Sequence, residues 1–231
     1  MQRLDQFLSA QGLGTRKEVR KDIRSGRIAV NGQVVTIPEA KIDPARDAVE
    51  RDSVRVTWSE HVYRMLNKPA GVITAARDPH QRTVMDLIPP GRKGIQPVGR
   101  LDKDTTGLLL LTDDGDLAHR LLSPAHHVEK VYEVQTDLPI PPDAAARFAA
   151  GLELSDFTAK PAELAVLQPG FARVTICEGK FHQVKRMFAA VSVNVVALRR
   201  ISFGPLTLDP ALPEGESRVL TPEEEEALKA L

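Results

Sequence analysis

The spacing of hydrophobic positions in the first sixty residues predicts two short helices followed by a hairpin. Apolar residues recur at i, i+3 and i+4 from Leu4, as on one face of a helix, and the pattern stops near Gly12. Thr15 followed three residues later by a glutamate is a capping-box pattern, which begins a second helix that Gly26 is suited to end. Residues 27–35 then form a predicted hairpin around an Asn-Gly turn.

The rest of the chain mixes strand and helix patterns in irregular order. Residues 38–60 are polar, with one predicted strand at 54–58, and we place a domain boundary after residue 59, giving domains 1–59 and 60–231. Because the later strands do not alternate strictly with helices, the pattern predicts an α+β fold with a largely antiparallel or mixed sheet. The predicted strands are 63–67, 97–101, 108–112, 130–135, 172–177 and 195–203, and the predicted helices are 83–87, 116–122, 143–150, 181–191 and a last one from residue 222.

Charge is distributed unevenly along a chain whose total is neutral. The 231 residues include 31 basic and 31 acidic side chains, which by itself argues against a nucleic-acid partner. However, the first 27 residues carry seven basic side chains, while residues 214–231 hold six glutamates. An anionic partner would therefore be attracted to the amino-terminal end.

The second predicted helix repeats like charges four residues apart, at Arg16, Arg20 and Arg24 and again at Lys17 and Lys21. Each such pair costs an isolated helix roughly 0.2–0.5 kcal/mol. A solvated face is the ordinary explanation of one charged run. Several such pairs before a hairpin favour phosphate binding instead.

The two helices and the hairpin motif G-R-I-x-V-N-G-x-x-V resemble the S4 RNA-binding domain of ribosomal protein S4 and of several RNA-modifying enzymes. The resemblance implies a small S4-like α/β domain whose basic helix and hairpin contact structured RNA. The side chains expected to do so are Arg3, Arg16, Lys17, Arg20, Arg24 and Arg27.

Residues 99–115 place a polar loop rich in carboxylates and hydroxyls between two predicted strands. Loops held between rigid strands often carry catalytic residues, and Arg100 beside Asp102 would favour an ionised carboxylate. Loop aspartates such as Asp102 and Asp104 also form turns, and several nearby carboxylates suggest a metal, although their spacing does not match a calcium loop. The residue types alone leave these interpretations open.

The motif in this segment, G-R-L-D-x-x-T-T-G-L-L-L-L-T-x-D-G, is similar to the signature of pseudouridine synthases acting on ribosomal RNA. Three further segments agree with that family: L-N-K-P-A-G at 66–71, E-K-V-Y-E-V at 129–134 and E-G-K-F-H-Q-V-K-R-M at 178–187. The resemblance is strongest to the small-subunit (16S) branch, the RsuA family. It implies a mixed-sheet catalytic domain in which Asp102 is the essential carboxylate, Tyr132 packs against the target base and Lys185 pairs with Asp102.

Other residues of these motifs are expected to support the same site. Lys68, Arg100, Thr105 and Thr106 are predicted to bind phosphate, ribose or base. Phe181 stands where tyrosine is frequent in the family, so a hydroxyl contact is not expected there. An apolar stripe from Val184 predicts that this face of the last motif's helix is core, with either Lys185 or Arg186 reaching a cleft.

The reaction that the resemblance implies is an isomerisation, which agrees with a sequence that lacks a nucleotide-binding glycine loop, a metal-ligand cluster and a redox cysteine pair. We therefore predict no cofactor and no metal. The single cysteine, Cys177, and the absence of a long apolar segment predict a soluble, cytoplasmic protein that does not bind a membrane.

The predicted partner is 16S ribosomal RNA in a partly assembled small subunit, modified by a monomeric enzyme. Two alternatives remain at this stage: a related synthase acting on 23S ribosomal RNA, and a non-catalytic assembly factor that uses the S4-like domain. A hydrolase using Asp102 with Asp104 would instead release free uracil.

Overall fold

The computed structural model describes residues 1–56, 60–89 and 92–231. These divide into two compact units, one formed by Met1–Val62 with Ile88–Ile95 and one formed by Tyr63–Leu87 with Gln96–Leu231. The predicted boundary after residue 59 adjoins residues outside the described part of the chain, and it stays a prediction.

The first unit combines two helices with short strands. Its elements are β1 (Gln2–Arg3), α1 (Leu4–Ala10), α2 (Arg16–Arg24), β2 (Ile28–Val30), β3 (Gln33–Val34), β4 (Lys41–Ile42), β5 (Val49–Arg51) and β6 (Val54–Arg55). β1 pairs with β4, and a second, antiparallel sheet has the order β3-β2-β5-β6. The predicted strand 54–58 is confirmed only as the two residues of β6, since residues 57–59 lie outside the described part.

Local sequence explains how these elements begin and turn. The side chain of Thr15 accepts a hydrogen bond from the Glu18 amide, and the Glu18 carboxylate accepts one from the Thr15 amide, which confirms the predicted capping box. Asn31 and Gly32 have φ angles of 52° and 77°, the left-handed pair that a tight hairpin turn requires. The core of this unit consists of Leu4, Phe7, Leu8, Val19, Ile23, Ile28, Ile42 and Val49.

The second unit is built on a large sheet. Its elements are β7 (Tyr63–Lys68), a 3-10 turn (Val84–Leu87), β8 (Gln96–Pro97), β9 (Thr106–Thr112), α3 (Gly115–Leu122), β10 (Lys130–Thr136), α4 (Ala144–Ala150), β11 (Leu152–Glu153), β12 (Thr158–Ala159), β13 (Glu163–Gln168), β14 (Phe171–Ile176), α5 (Gln183–Ala190), β15 (Val195–Phe203), β16 (Leu206–Thr207), β17 (Ser217–Val219) and α6 (Pro222–Lys229).

Among the described residues, the main sheet has nine strands, with the order β13-β14-β10-β15-β9-β7-β17 and with β16 and β8 paired at β15 and β9. Its pairs are antiparallel except for β15 and β9, which run parallel where Arg200 lies opposite Gly107. The sheet is therefore mixed, and the α+β prediction is confirmed. Gly107 has a φ of 98°, and a Cβ atom there would lie 2.2 Å from the Arg200 carbonyl oxygen.

Three predicted elements differ from the structure. The predicted strand 97–101 is wrong beyond Pro97, because the chain leaves the ladder and residues 98–105 form a loop. The predicted helix 83–87 is a single 3-10 turn. The helix predicted from residue 181 begins at Gln183, because His182 has a left-handed φ of 49° that no α-helix accommodates.

Helices cover the sheet through apolar contacts. Leu117 and Leu121 of α3 and Leu228 of α6 join a core cluster with strand residues such as Leu108 and Leu110. Elsewhere α4 lies against β13 and α5 against β15, and the two helices meet in an edge-to-face contact between their phenylalanines, with ring centroids 5.1 Å apart. The predicted apolar stripe of α5 is confirmed, since Val184, Met187, Phe188 and Val191 are at most 5% exposed.

Candidate active site

A cleft in the second unit gathers residues from distant motifs of the sequence. The predicted residues Asp102, Tyr132, Arg100 and Thr105 all line it. The remaining lining residues are Leu101, Ile176, Gly179, Lys180, His182, Gln183, Val184 and Leu198. Polar groups thus converge on a cleft with apolar walls, which is the usual composition of a small-molecule or base pocket.

The loop that carries Asp102 is fixed by a buried lysine. The Lys68 ammonium lies 3.0 Å from the carbonyl oxygens of Pro69 and Asp102, 3.3 Å from that of Lys103 and 2.8 Å from that of Thr105. Burial lowers the pKa of Lys68 to about 8, although Asp104 and Asp102 oppose the shift. Because that value lies above 7, the amine is an ammonium at neutral pH and donates to these carbonyls.

Further hydrogen bonds, from residues 71 and 74, hold the same loop. Thr74 Oγ1 donates to the Leu101 carbonyl at 2.8 Å and accepts from the Leu101 amide at 3.1 Å. The Gly71 amide donates to the Lys103 carbonyl at 2.8 Å. The backbone around Asp102 is therefore held by partners 30 or so residues earlier in the chain rather than by a sheet ladder.

Two basic side chains face the Asp102 carboxylate, which is 26% exposed. Lys185 Nζ lies 3.3 Å from Asp102 Oδ2 and 2.6 Å from Asp104 Oδ1, and His182 Nε2 lies 3.6 Å from Asp102 Oδ1. Burial opposes the charged form of Lys185, but its hydrogen bonds to Asp104 and Asp102 outweigh burial and raise its pKa. Hydrogen bonding to Lys185 lowers the pKa of Asp104. Lys185 thus bridges the two carboxylates of Asp102 and Asp104 at the cleft.

A second loop, residues 178–182, is organised by the buried Gln183, which is 3% exposed. Its side-chain amide donates to the Glu178 carboxylate at 2.7 Å and accepts from the Lys180 amide at 2.9 Å. Glu178 also accepts from the Lys160 amide at 2.9 Å. These bonds explain how the chain reaches the left-handed His182 and turns that ring toward Asp102.

The structure separates the predicted residues into groups. Tyr132, 7% exposed, and Thr105, 1% exposed, line the cleft, and Thr105 Oγ1 has no hydrogen-bond partner among the described residues. Thr106 belongs to β9 and does not line the cleft. Lys68 is 0% exposed, so this conformation does not offer the predicted contact with a substrate; its contacts favour a positioning role instead.

Lys185 and Arg186, which the helical pattern did not distinguish, point in different directions. Arg186 forms an ion pair with Asp156, and its guanidinium lies 4.9 Å from the Phe157 ring centre. Lys185 is therefore the one that reaches Asp102. The contact of His182 with Asp102 was not predicted. The position of His182, three residues before Lys185 at the start of a helix, is the sequence feature that could have indicated it.

The basic residues predicted to bind RNA lie in the first unit, and several are engaged there. Arg3 and Arg16 form ion pairs with the buried Asp5, at 2.9 and 3.3 Å, and Arg20 pairs with Glu39 at 2.6 Å. Arg27 forms ion pairs with Asp22 and Asp52. Within the part of the chain that the structure describes, no ion pair involves Lys17, Lys21 or Arg24.

None of the described helices is long and apolar enough to cross a membrane. The described residues also contain no cluster of three or more histidine, cysteine, aspartate or glutamate side chains placed to share a metal ion.

Comparison with known proteins assigns both parts of the chain. Residues 62–190 match the RNA pseudouridylate synthase family, and residues 2–47 match the S4 domain. The chain is 44% identical over 227 residues to ribosomal small subunit pseudouridine synthase A of Escherichia coli K12, covering 96% of this chain and 97% of that protein. It is 42% identical over 229 residues to an uncharacterised RNA pseudouridine synthase of Bacillus subtilis, covering 96% of each.

A solved crystal structure of a pseudouridylate synthase matches with a TM-score of 0.69 and 39% identity, covering 99% of this chain and all of that one. The chain therefore belongs to the RNA pseudouridylate synthase family. It is an RNA-modifying isomerase with an amino-terminal S4 domain, as its motifs predicted.

Proposed function

We propose that this enzyme isomerises one uridine of small-subunit (16S) ribosomal RNA to pseudouridine, with Asp102 as the catalytic carboxylate. The relatives from Escherichia coli and Yersinia pestis are both named ribosomal small subunit pseudouridine synthase A and cover 96% of this chain at 44% and 43% identity. That agreement over nearly the full length supports the choice of substrate.

The single observation that carries the catalytic assignment is the placement of Asp102. Its carboxylate lines the cleft, beside Tyr132, and faces Lys185 at 3.3 Å and His182 at 3.6 Å. Isomerisation breaks the bond between N1 and C1′ and joins C5 to C1′, while a proton leaves C5 and one is gained at N1. An ionised carboxylate suits this step because it can act as a nucleophile or stabilise positive charge at a sugar carbon.

The neighbouring residues have complementary proposed roles. Lys185 forms an ion pair with Asp102 and thereby holds the carboxylate in place in the cleft. A uridine must leave its stack to reach the cleft, and the Tyr132 ring supplies an aromatic surface against which the uracil packs. The exposed Arg100 lies where it can bind the ribose or a phosphate, whereas Thr105 Oγ1 is buried in the wall of the cleft and would reach the ribose only after the loop moves.

Carbodiimide-stop primer extension tests the proposal on 16S transcript, 23S transcript and a partly assembled small subunit. Wild-type enzyme is compared with Asp102→Asn, which keeps the shape of the side chain, and with Asp104→Asn as the matched control that also contacts Lys185. We expect one new stop in 16S RNA with wild type and Asp104→Asn, and none with Asp102→Asn. A stop only in 23S RNA would refute the substrate, and a persistent stop with Asp102→Asn would refute the catalytic role.

A further inference from the structure

An exposed aromatic side chain stands at the edge of the cleft and takes no part in the chemistry derived above. Phe181 is 67% exposed, although most apolar side chains of this size in the second unit are buried. It follows Lys180 and precedes His182, both of which line the cleft. Its position is therefore set by the same loop that places His182 against Asp102.

The Phe181 ring is held in a defined orientation despite its exposure. It stacks on the His182 imidazole, with ring centroids 3.7 Å apart and planes inclined by 21°. The imidazole is fixed in turn by the left-handed backbone of His182 and by the buried hydrogen bonds of Gln183 to Glu178 and Lys180. One face of the phenyl ring is thus covered by His182, and the other is available to a planar group.

Three basic side chains, Lys180, Lys185 and Arg186, lie within five residues of this platform along the chain, and two of them, Lys185 and Arg186, are also paired with Asp104 and Asp156. Lys180 Nζ lies 3.8 Å from the centre of the Phe157 ring, and Arg186 lies over the same ring at 4.9 Å. Lys185 lies four residues beyond Phe181 on α5. An aromatic face beside several cations suits a nucleic-acid base with its phosphates, because bases stack on such rings and phosphates attract the cations.

We infer that Phe181, backed by His182, stacks on the nucleotide next to the target uridine in the RNA. When the uridine leaves the stack, its neighbour loses one stacking partner, and Phe181 replaces it. This role rests on the proposed function in one respect, since it takes Asp102 as the centre to which the uridine is delivered. Phe181 is a contact residue that holds the RNA, and it touches none of the reacting atoms.

The test couples a protein change to an RNA change. Equilibrium binding is measured by fluorescence anisotropy, using an RNA segment around the modified uridine and copies abasic at its 5′ or 3′ neighbour. Wild type is compared with Phe181→Ala, Phe181→Tyr and Phe181→Leu, and with Leu138→Ala, a control residue that is 57% exposed elsewhere in the second unit. KM and kcat are measured on the same RNAs.

Removing the stacking of one base on an aromatic side chain should lower the RNA affinity of Phe181→Ala and Phe181→Leu by roughly 5- to 150-fold. We expect that loss of affinity on the intact RNA, and in the kinetic assay we expect it to raise KM while kcat stays unchanged. Phe181→Tyr and Leu138→Ala should have affinities and KM values close to those of wild type. On one of the two abasic RNAs the same variants should bind as wild type does, because the stacking partner is gone.

Equal loss on the intact and both abasic RNAs, or a loss confined to kcat, would overturn the inference and leave Phe181 as a support for His182. Binding does not depend on turnover, so the outcome stays separate from that of the proposed function. If the modified uridine lies in 23S RNA, or if Asp102→Asn remains active, the proposed function fails while the stacking test proceeds unchanged on the mapped segment.

Discussion

Replacing Lys68 by methionine tests whether a buried ammonium holds the catalytic loop. Methionine keeps most of the length of the side chain but removes the charge and all of its hydrogen-bond donors. The change leaves the carbonyl oxygens of Pro69, Asp102, Lys103 and Thr105 without this donor. The Lys103 and Asp102 carbonyls keep the Gly71 and Thr105 amides as donors, so the loss falls mainly on the Pro69 and Thr105 carbonyls. Each buried acceptor left unsatisfied costs about 1–3 kcal/mol.

We therefore expect Lys68→Met to lower the free energy of unfolding by about 3–5 kcal/mol in total. At about 2–4 °C per kcal/mol for a chain of this size, Tm should fall by roughly 6–20 °C. Because the loop carries Asp102, the surviving folded enzyme should also lose about 100-fold in its single-turnover rate, the size of loss that a displacement near 1 Å can cause.

The measurements are thermal melting by circular dichroism and single-turnover pseudouridine formation at a temperature well below both Tm values. Lys160→Met is the matched control, since Lys160 is exposed in the same unit. A Tm within 2 °C of wild type, or an unchanged rate in the folded variant, would refute the account of Lys68 as the residue that fixes the loop.

Three further predictions concern the sheet, its buried charges and the basic helix. Gly107→Ala should destabilise the protein by at least about 3 kcal/mol in denaturant titration, because its Cβ would lie 2.2 Å from the Arg200 carbonyl oxygen at a φ of 98°; a midpoint equal to wild type would contradict this. Burial lowers the pKa of Lys130 to about 8, so the unfolded chain binds more protons between about pH 8 and 10, and stability contributed by this group rises with pH in that window. Lys130→Met should reduce the slope of unfolding free energy against pH by up to about 1.4 kcal/mol per pH unit. Parallel curves of unfolding free energy against pH for the two proteins would exclude a contribution from Lys130. Replacing Lys17, Lys21 and Arg24 together by alanine should reduce the steepness of log RNA affinity against log salt concentration by about 2–3 without changing Tm. Unchanged RNA affinity and an unchanged slope would contradict the proposed role of the basic helix.

The sequence determined the features that depend on near neighbours in the chain. The capping box of Thr15 and Glu18 and the hairpin turn at Asn31 involve residues at most four positions apart, so their patterns predicted them directly. The strand Val195–Phe203 was predicted with its observed bounds because its length and its β-branched and aromatic residues are typical of strands. The continuous motif at residues 99–115 likewise indicated the family and its candidate carboxylate, Asp102.

Tertiary structure alone decided how the cleft is assembled. Residues 98–101 were predicted as part of a strand, but they belong to a loop in which the Lys68 ammonium, 34 positions before Asp102, contacts the carbonyls of Asp102, Lys103 and Thr105. No local pattern shows such a contact, since it depends on two strands that become neighbours only in the folded sheet. The same holds for the choice of Lys185 over Arg186, which a helical pattern places at adjacent angles.

The loop before α5 is the clearest example of a structure that the sequence pattern did not predict. Its sequence suggested a helix from residue 181, yet Gln183 is buried with its side-chain amide bonded to Glu178, and the preceding His182 has a left-handed conformation. That one backbone reversal turns the imidazole toward Asp102 and leaves Phe181 at the surface. The sequence by itself thus determined which residue types are present and which short elements they form. The long-range packing of buried polar groups decided which of them meet, because their hydrogen bonds must be satisfied wherever the sheet brings them together.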